Sequence, residues 1–180
     1  ARTPLRSTYR GYEVLTMPPP SSGGIALLQT LHMLEAWEQR PDHKKWKDLS
    51  EVDRVQVLTE AQKHAFADRA EYLGDADFVT VPTEQLLSRA YAARLAEKID
   101  ITRTLAAEAY GRSFTPDDAG TTHFCVMDEQ GNAVACTETI NTTYGSLVVE
   151  PKFGIVLNNE MDDFTAVPGQ ANAFGLRKSA

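Results

Sequence analysis

Cysteine is scarce in this sequence: two residues, Cys125 and Cys136, among 180. Only four scattered histidines accompany them, with no paired-ligand spacing. The pattern of a metal site is therefore missing, and neither a metal nor another cofactor is expected. Positive charge is outweighed, 18 Lys and Arg against 25 Asp and Glu. The formal net charge of −7 argues against nucleic acid or an anionic membrane as a partner. No apolar run approaches the roughly 20 residues of a membrane-spanning helix. No signal peptide, internal repeat or low-complexity segment is visible. What remains is ordinary globular composition, 42% hydrophobic and 24% charged, with a length that suits one domain with a sizeable core.

The chain changes period about two thirds of the way along. Residues Tyr9 to Met17 alternate as a strand, with Tyr12, Val14 and Thr16 on one face and Glu13 and Leu15 on the other. Three prolines stop it. Ser21-Ser22-Gly23-Gly24 then leads into a helix near Ile25, whose apolar positions Ile25, Leu28, Leu31 and Leu34 recur at helical spacing. A Ser/Gly turn at a helix start can hold an anion, but the simpler expectation is a capped turn. After a polar loop from Pro41 to Lys47, the longest helix is expected from Glu51 to Tyr72. Val55, Leu58, Ala61, Ala65 and Phe66 would form its buried stripe, with Arg69 and Glu71 on a solvated face. Gly74 ends it and Asp75 to Asp77 turn. A further helix is expected from Thr83 to Lys98, burying Leu86, Leu87, Ala90 and Leu95. Thr102 to Ser113 is ambiguous, with a short helix ended by Gly111 as one reading.

After Thr121 the period becomes two. Thr122 to Asp128 and Ala133 to Ile140 read as strands joined by Glu129-Gln130-Gly131-Asn132, a hairpin signal. Antiparallel pairing then sets Thr121 beside Thr139 to Asn141, where Thr139 can donate a hydrogen bond to the Thr121 hydroxyl. Cys125 and Cys136 fall on opposite arms, which leaves open a disulfide or two buried free thiols; the small, apolar character of free cysteine favours the thiols. A third strand, Ile155 to Leu157, runs into Asn158-Asn159-Glu160-Met161-Asp162-Asp163, a loop crowded with acceptors but without the ligand spacing of a calcium loop. Val167 to Lys178 is Gly/Ala/Asn-rich and expected to be mobile.

The switch of period falls at Gly120-Thr121, and the chemistry of that junction is specific. A threonine hydroxyl is a poor nucleophile without a base, but an N-terminal threonine carries one, its own α-amine with a pKa of about 8. The same hydroxyl can first attack the Gly120 carbonyl to give an ester that water opens. Glycine tolerates the backbone angles such an attack needs. Read alone, Thr121-Thr122 is more simply the opening of a β-strand, where β-branched residues are enriched.

Four blocks bear on that choice. TTHFCVMDEQGNAVACTETINTTYG, residues 121–145, resembles the start of the small subunit of γ-glutamyltranspeptidases (γ-glutamyltransferases). FGIVLNNEMDDF, residues 153–164, resembles their substrate-binding loop. YRGYEVLTMPPPSSGGIALLQTLHMLE, residues 9–35, and EAQKHAFADRAEYLGDADF, residues 60–78, resemble blocks late in the large subunit. The resemblance implies an α+β fold, part of the αββα sandwich of N-terminal-nucleophile hydrolases, truncated at both ends. Residues 1–120 would be the helix-rich end of the large subunit and residues 121–180 the β-rich start of the small one, together one partial domain. It implies autocatalytic cleavage at Gly120-Thr121 in a full-length zymogen. It also implies transfer or hydrolysis of γ-glutamyl amides such as glutathione, with an amino acid or water as acceptor.

By the same resemblance Thr121 is the nucleophile and Thr139 orients it. Asn141, Glu160 and Asp163 hold the α-amino and α-carboxyl ends of the substrate. Two carboxylates suit an ammonium group. His123 fits the family block, but a lone histidine in a strand is more simply structural. The family's carboxylate-binding arginine lies earlier, and its Ser-Ser pair and Gly-Gly oxyanion hole lie later, so this segment by itself is expected to be inactive. An open sheet edge would favour self-association. A periplasmic or extracellular setting is expected from the resemblance alone. The alternatives are an acylase on the same scaffold, acting on glutaryl β-lactams or poly-γ-glutamate, and a non-catalytic domain that keeps the fold.

Overall fold

The computed structural model describes residues 2–111 and 121–164. The junction residue Gly120, the segment leading into it and the expected mobile stretch 167–178 lie outside the described residues. The fold is mixed α and β. It falls into two compact units, residues 1–113 and 114–180.

The first unit opens on a hairpin, β1 (Leu5–Tyr9) and β2 (Tyr12–Thr16), paired antiparallel with Tyr9 opposite Tyr12. The strand expected over Tyr9 to Met17 is β2, beginning at Tyr12, and β1 ahead of it was not expected. The turn is Arg10-Gly11, both at positive φ (49° and 85°), the geometry of a tight hairpin turn. Helix α1 (Gly23–Glu38) follows. Ile25, Leu28 and Leu34 are buried as expected, but so are Gln29, Thr30, His32, Met33 and Trp37. A helix buried on most of its faces is central rather than amphipathic. Gly24 is where α1 meets the end of β2: a Cβ there would sit 2.0 Å from the Met17 carbonyl oxygen. Ser22 does not cap α1 through its side chain, against expectation; its Oγ accepts from Arg69 Nε at 2.8 Å instead.

Helix α2 (Glu51–Tyr72) has the expected bounds, capped by Ser50, whose side chain accepts from the Asp53 amide. Its buried stripe differs from expectation. Val55 and Phe66 are exposed, and the buried positions are Val57, Glu60, Ala61, His64, Ala65, Ala67, Asp68 and Ala70. Three polar residues at intervals of four, Glu60, His64 and Asp68, lie on that stripe, so apolar spacing alone does not mark it. Arg69 is half-buried rather than solvated, because Ser22 and the Phe66 ring hold it.

The helix expected over Thr83–Lys98 is broken. α3 (Thr83–Leu86) ends at Leu87, and α4 (Arg89–Ala96) restarts with Ser88 as its cap, the Ser88 hydroxyl accepting from the Tyr91 amide. The restart turns the buried face to Ala92, Leu95 and Ala96, leaving Ala90 exposed and Leu87 only half-buried. Residues Ala107–Ala109 form one 3₁₀ turn. The core joins Met33, Leu34 and Trp37 of α1 to Val57, Ala61 and Ala65 of α2 and to α4 and Ile99.

The second unit contains β3 (Thr121–Met127) and β4 (Ala133–Thr139), paired antiparallel. Asp128 closes their turn: Oδ1 accepts from the Gln130 and Asn132 amides and Oδ2 from Asn132 Nδ2. A second, short pair, β5 (Val149–Glu150) and β6 (Ile155–Val156), lies further along. β5 was not anticipated. The described strands make three two-stranded sheets. Hairpin β3–β4 is exposed along nearly its whole length. Cys125 is exposed and Cys136 half-buried, and both are free. Register explains the missing bond: Cys136 faces Phe124 and Cys125 faces Ala135, so the two thiols point to opposite sides of the ribbon.

Candidate active site

The site starts from register. Thr121 pairs with Thr139 across the open end of the β3–β4 ribbon, so their side chains share one face. Their hydroxyl oxygens are 3.1 Å apart, with Thr121 as donor. The Thr139 oxygen also accepts from the Asn141 backbone amide at 2.8 Å. Accepting from both fills its two lone pairs and leaves the Thr139 hydrogen free. That hydrogen can swing to Thr121 when the Thr121 oxygen gives up its own proton.

Next along the same face is His123. Its Nδ1 lies 2.7 Å from Thr137 Oγ1 and its Nε2 3.3 Å from Cys125 Sγ. Those two partners fix the ring within the ribbon.

Immediately after β4 the chain turns sharply. Asn141 has φ +73°, a left-handed conformation that asparagine tolerates better than most residues. It is 8% exposed. Its Nδ2 donates to the Asn159 carbonyl at 3.1 Å. The Asn159 amide donates to the Ile140 carbonyl at 3.2 Å. Gly145 seals this corner: a Cβ there would meet the Leu157 carbonyl oxygen at 2.2 Å.

Glu160 and Asp163 lie in a single 3₁₀ turn, Glu160–Asp163, that follows directly from Asn159. Asn158 Oδ1 accepts from the Glu160 amide at 3.1 Å and helps to open that turn. The Glu160 Oε1 atom is buried with no hydrogen-bond partner among the described residues. A carboxylate oxygen in that state is placed to accept from a cation.

The five sequence-derived candidates, Thr121, Thr139, Asn141, Glu160 and Asp163, therefore all lie in the second unit. Two of them touch Thr139, and the other two sit in the turn bonded to the residue after β4. Sequence reasoning gave no role to Asn159 or Thr142. Asn159 Oδ1 accepts from both the Thr142 amide (3.1 Å) and the Thr142 hydroxyl (3.0 Å). Its presence in the acceptor-rich loop was the only available signal. Among the described residues no group of three or more His, Cys, Asp or Glu is arranged to hold a metal.

Comparison with known proteins gives this geometry a lineage. The gamma-glutamyltranspeptidase family model matches residues 1–180. The chain belongs to the gamma-glutamyltranspeptidase family. It is 48% identical over 177 residues to the glutathione hydrolase proenzyme of Escherichia coli K12, an alignment covering 97% of this chain and 30% of that protein. Among solved structures, the cephalosporin acylase of Bacillus halodurans matches with a TM-score of 0.64 and 28% identity, covering 97% of this chain and 30% of that one. A gamma-glutamyltranspeptidase from Pseudomonas nitroreducens, complexed with L-DON, matches with a TM-score of 0.52 and 35% identity, covering 61% and 32%. The chain thus spans about 30% of the length of these relatives.

Proposed function

We propose that these residues form the nucleophile-bearing half of the active site of a γ-glutamyl transferase/hydrolase. In that reading the 180 residues are carried within a polypeptide of the relatives' full length. The observation that carries it is the 3.1 Å approach of the Thr121 and Thr139 hydroxyls at the first residue of β3.

The chemistry runs in two stages. In maturation the Thr121 oxygen attacks the Gly120 carbonyl, the Gly120–Thr121 C–N bond breaks, and the new ester is opened by water. Gly120 leaves as a carboxylate and Thr121 gains a free α-amine. In turnover that amine accepts the Thr121 hydroxyl proton as the oxygen attacks the γ-carbonyl of a γ-glutamyl amide such as glutathione. The amide C–N bond breaks, the leaving amine takes up the proton, and the glutamyl group remains as an ester on Thr121. Water or an acceptor amino acid then attacks that ester and restores the hydroxyl. Thr139 holds the Thr121 oxygen in line throughout. Asp163 receives the substrate's α-ammonium, helped by Glu160 and Asn141.

The same reading places strands β3 to β6 within an αββα sandwich completed by chain outside these residues, and places the enzyme outside the cytoplasm. It also makes the isolated segment inactive. The oxyanion donors and the carboxylate-binding arginine expected by family resemblance are not among its assigned residues. A missing oxyanion donor commonly costs about 10²–10³ in rate.

The similarity to a cephalosporin acylase favours a second reading, hydrolysis of a glutaryl amide. A glutaryl group lacks the α-ammonium. An acidic turn carrying Glu160 and Asp163 offers nothing to it, which favours the γ-glutamyl substrate. The test is a full-length enzyme carrying this segment, assayed side by side on γ-glutamyl-p-nitroanilide and glutaryl-p-nitroanilide. Preference for the γ-glutamyl compound is expected; preference for the glutaryl compound would overturn the assignment.

A further inference from the structure

We propose that Asn159 is a positioning residue that couples the nucleophile to the substrate-gripping turn; this rests on the functional reading above. A run of hydrogen bonds crosses the unit from Thr121. It passes from the Thr121 hydroxyl to Thr139, from Thr139 to the Asn141 amide, and from the Asn141 side chain to the Asn159 carbonyl. Asn159 then reaches forward, its Nδ2 donating to Asp162 Oδ2 at 2.9 Å. It also reaches back, its Oδ1 accepting from the Thr142 amide and hydroxyl. Its own amide donates to the Ile140 carbonyl. One residue thereby ties the strand end that bears Thr139 to the turn that bears Glu160 and Asp163.

The chemistry of the side chain explains why an amide is needed. Oδ1 accepts from the Thr142 amide and lies, like the Gly145 carbonyl, 3.0 Å from the Thr142 hydroxyl, while Nδ2 donates to a carboxylate. Aspartate keeps the acceptor but faces the Asp162 carboxylate at the position now held by Nδ2. Two carboxylates that close cannot both ionise freely, so one would hold a proton at raised pH. Alanine removes both functions. Without them Thr142 and the Asp162 side of the acidic turn lose their common anchor, while the backbone bonds of residue 159 to Asn141 and Ile140, and the contact of Thr121 with Thr139, remain. Substrate capture should suffer more than the chemical step.

The experiment uses the full-length enzyme. Asn159→Ala should raise KM for γ-glutamyl-p-nitroanilide by about 10–100-fold, the scale of losing one or two such hydrogen bonds, with kcat falling far less. Asn159→Asp should recover part of the loss, and its kcat/KM relative to wild type should rise as pH falls from 8 to about 5.5, as the carboxylate pair takes up a proton. Amide hydrogen exchange at Thr142 reads the clamp without turnover and should quicken about tenfold or more in Asn159→Ala. Unchanged KM in Asn159→Ala, a pH-independent ratio for Asn159→Asp, or unchanged Thr142 exchange would each overturn the proposal. Equal losses in KM and kcat with a lowered melting temperature would overturn it too, by making the residue merely structural. If the wild-type enzyme fails to turn over the anilide, the functional reading fails, and Thr142 exchange still decides the clamp.

Discussion

The two units are held together by different physics. In the helical unit, Ile25, Leu28, Met33, Trp37, Val57, Ala61 and Leu86 are each 2% exposed or less, and apolar burial dominates. Each large side chain of that kind contributes about 1.5–3 kcal/mol. In the strand unit the buried residues among those described are Asn141 and Gly145, both at the corner after β4. Phe124, Val126, Val134, Leu147, Phe153 and Ile155 stand between 45% and 78% exposed. The packing centre of the second unit is thus a hydrogen-bonded corner, and that corner is the candidate site. Apolar burial is concentrated in one unit and the candidate site in the other.

Replacing Thr121 is the sharpest way to separate them. Thr121→Ala in the full-length enzyme should abolish both cleavage at Gly120 and turnover of γ-glutamyl-p-nitroanilide, while the melting of the helical unit stays unchanged. A denaturing gel and the anilide assay check it. A chain still cut at Gly120 would show that the Thr121 hydroxyl is not the attacking group. Asp163→Ala comes next. It would strand the substrate's ammonium, a loss on the order of 3–5 kcal/mol for a buried ion pair, read as a fall in kcat/KM. Near-normal kinetics on the anilide would remove Asp163 from the site.

The helical unit has its own probe in His64. It is 1% exposed, and neither ring nitrogen has a hydrogen-bond partner among the described residues. Burial, reinforced by the Lys98 charge, pushes its pKa from 6.5 down to about 4. The unfolded chain therefore binds a proton that the folded chain refuses between those two values. Stability contributed by neutral His64 is fully present above about pH 6.5 and is lost as pH falls towards 4. The difference is on the order of 3 kcal/mol. Urea midpoints at pH 7 and pH 4.5 should differ in wild type and differ much less in His64→Leu. Equal pH sensitivity in both would refute the assignment.

Glu60 shows the opposite balance on the same helix. Burial alone would raise its carboxyl, but hydrogen bonds from Lys63, Tyr110 and Thr104 outweigh it and hold the pKa below the ordinary value. Asp68 is the intermediate case. Burial raises it, and the hydrogen bonds from Gln29 and Tyr91 offset only part of that rise.

The smallest effect concerns the exposed ribbon. Val134→Lys should leave the helical unit within about 0.5 kcal/mol of wild type, as exposed substitutions usually do. It should nonetheless weaken self-association of the 180-residue chain, measured by sedimentation across a concentration series. An unchanged association would show that the ribbon is not the contact.

Legibility in the sequence followed the same division. The β3–β4 hairpin could be read because the turn signal Glu129–Asn132 joins its strands, which set Thr121 beside Thr139 to Asn141; the register then puts it opposite Thr139. The end of α2 could be read from Gly74, which follows its last turn. Its buried face could not, because Glu60, His64 and Asp68 are polar yet inward, and their partners Tyr110 and Gln29 lie 50 and 39 residues away. The α3–α4 break was hidden because Ser88 interrupts an otherwise continuous helical pattern and shows as a cap only once Tyr91 donates to it. The roles of Asn159 and Thr142 were equally hidden, since they arise from contacts across 17 residues.

The central claim is that Thr121 becomes a new N-terminus and carries the glutamyl group. The direct measurement is mass spectrometry on the full-length enzyme, mixed with a γ-glutamyl amide and acid-quenched during turnover. The expected result is a small subunit beginning at Thr121 that bears the mass of one glutamyl group, mapped to the Thr121 peptide and absent in Thr121→Ala. An uncut chain during active turnover, or a glutamyl group mapped to any other residue, would contradict it.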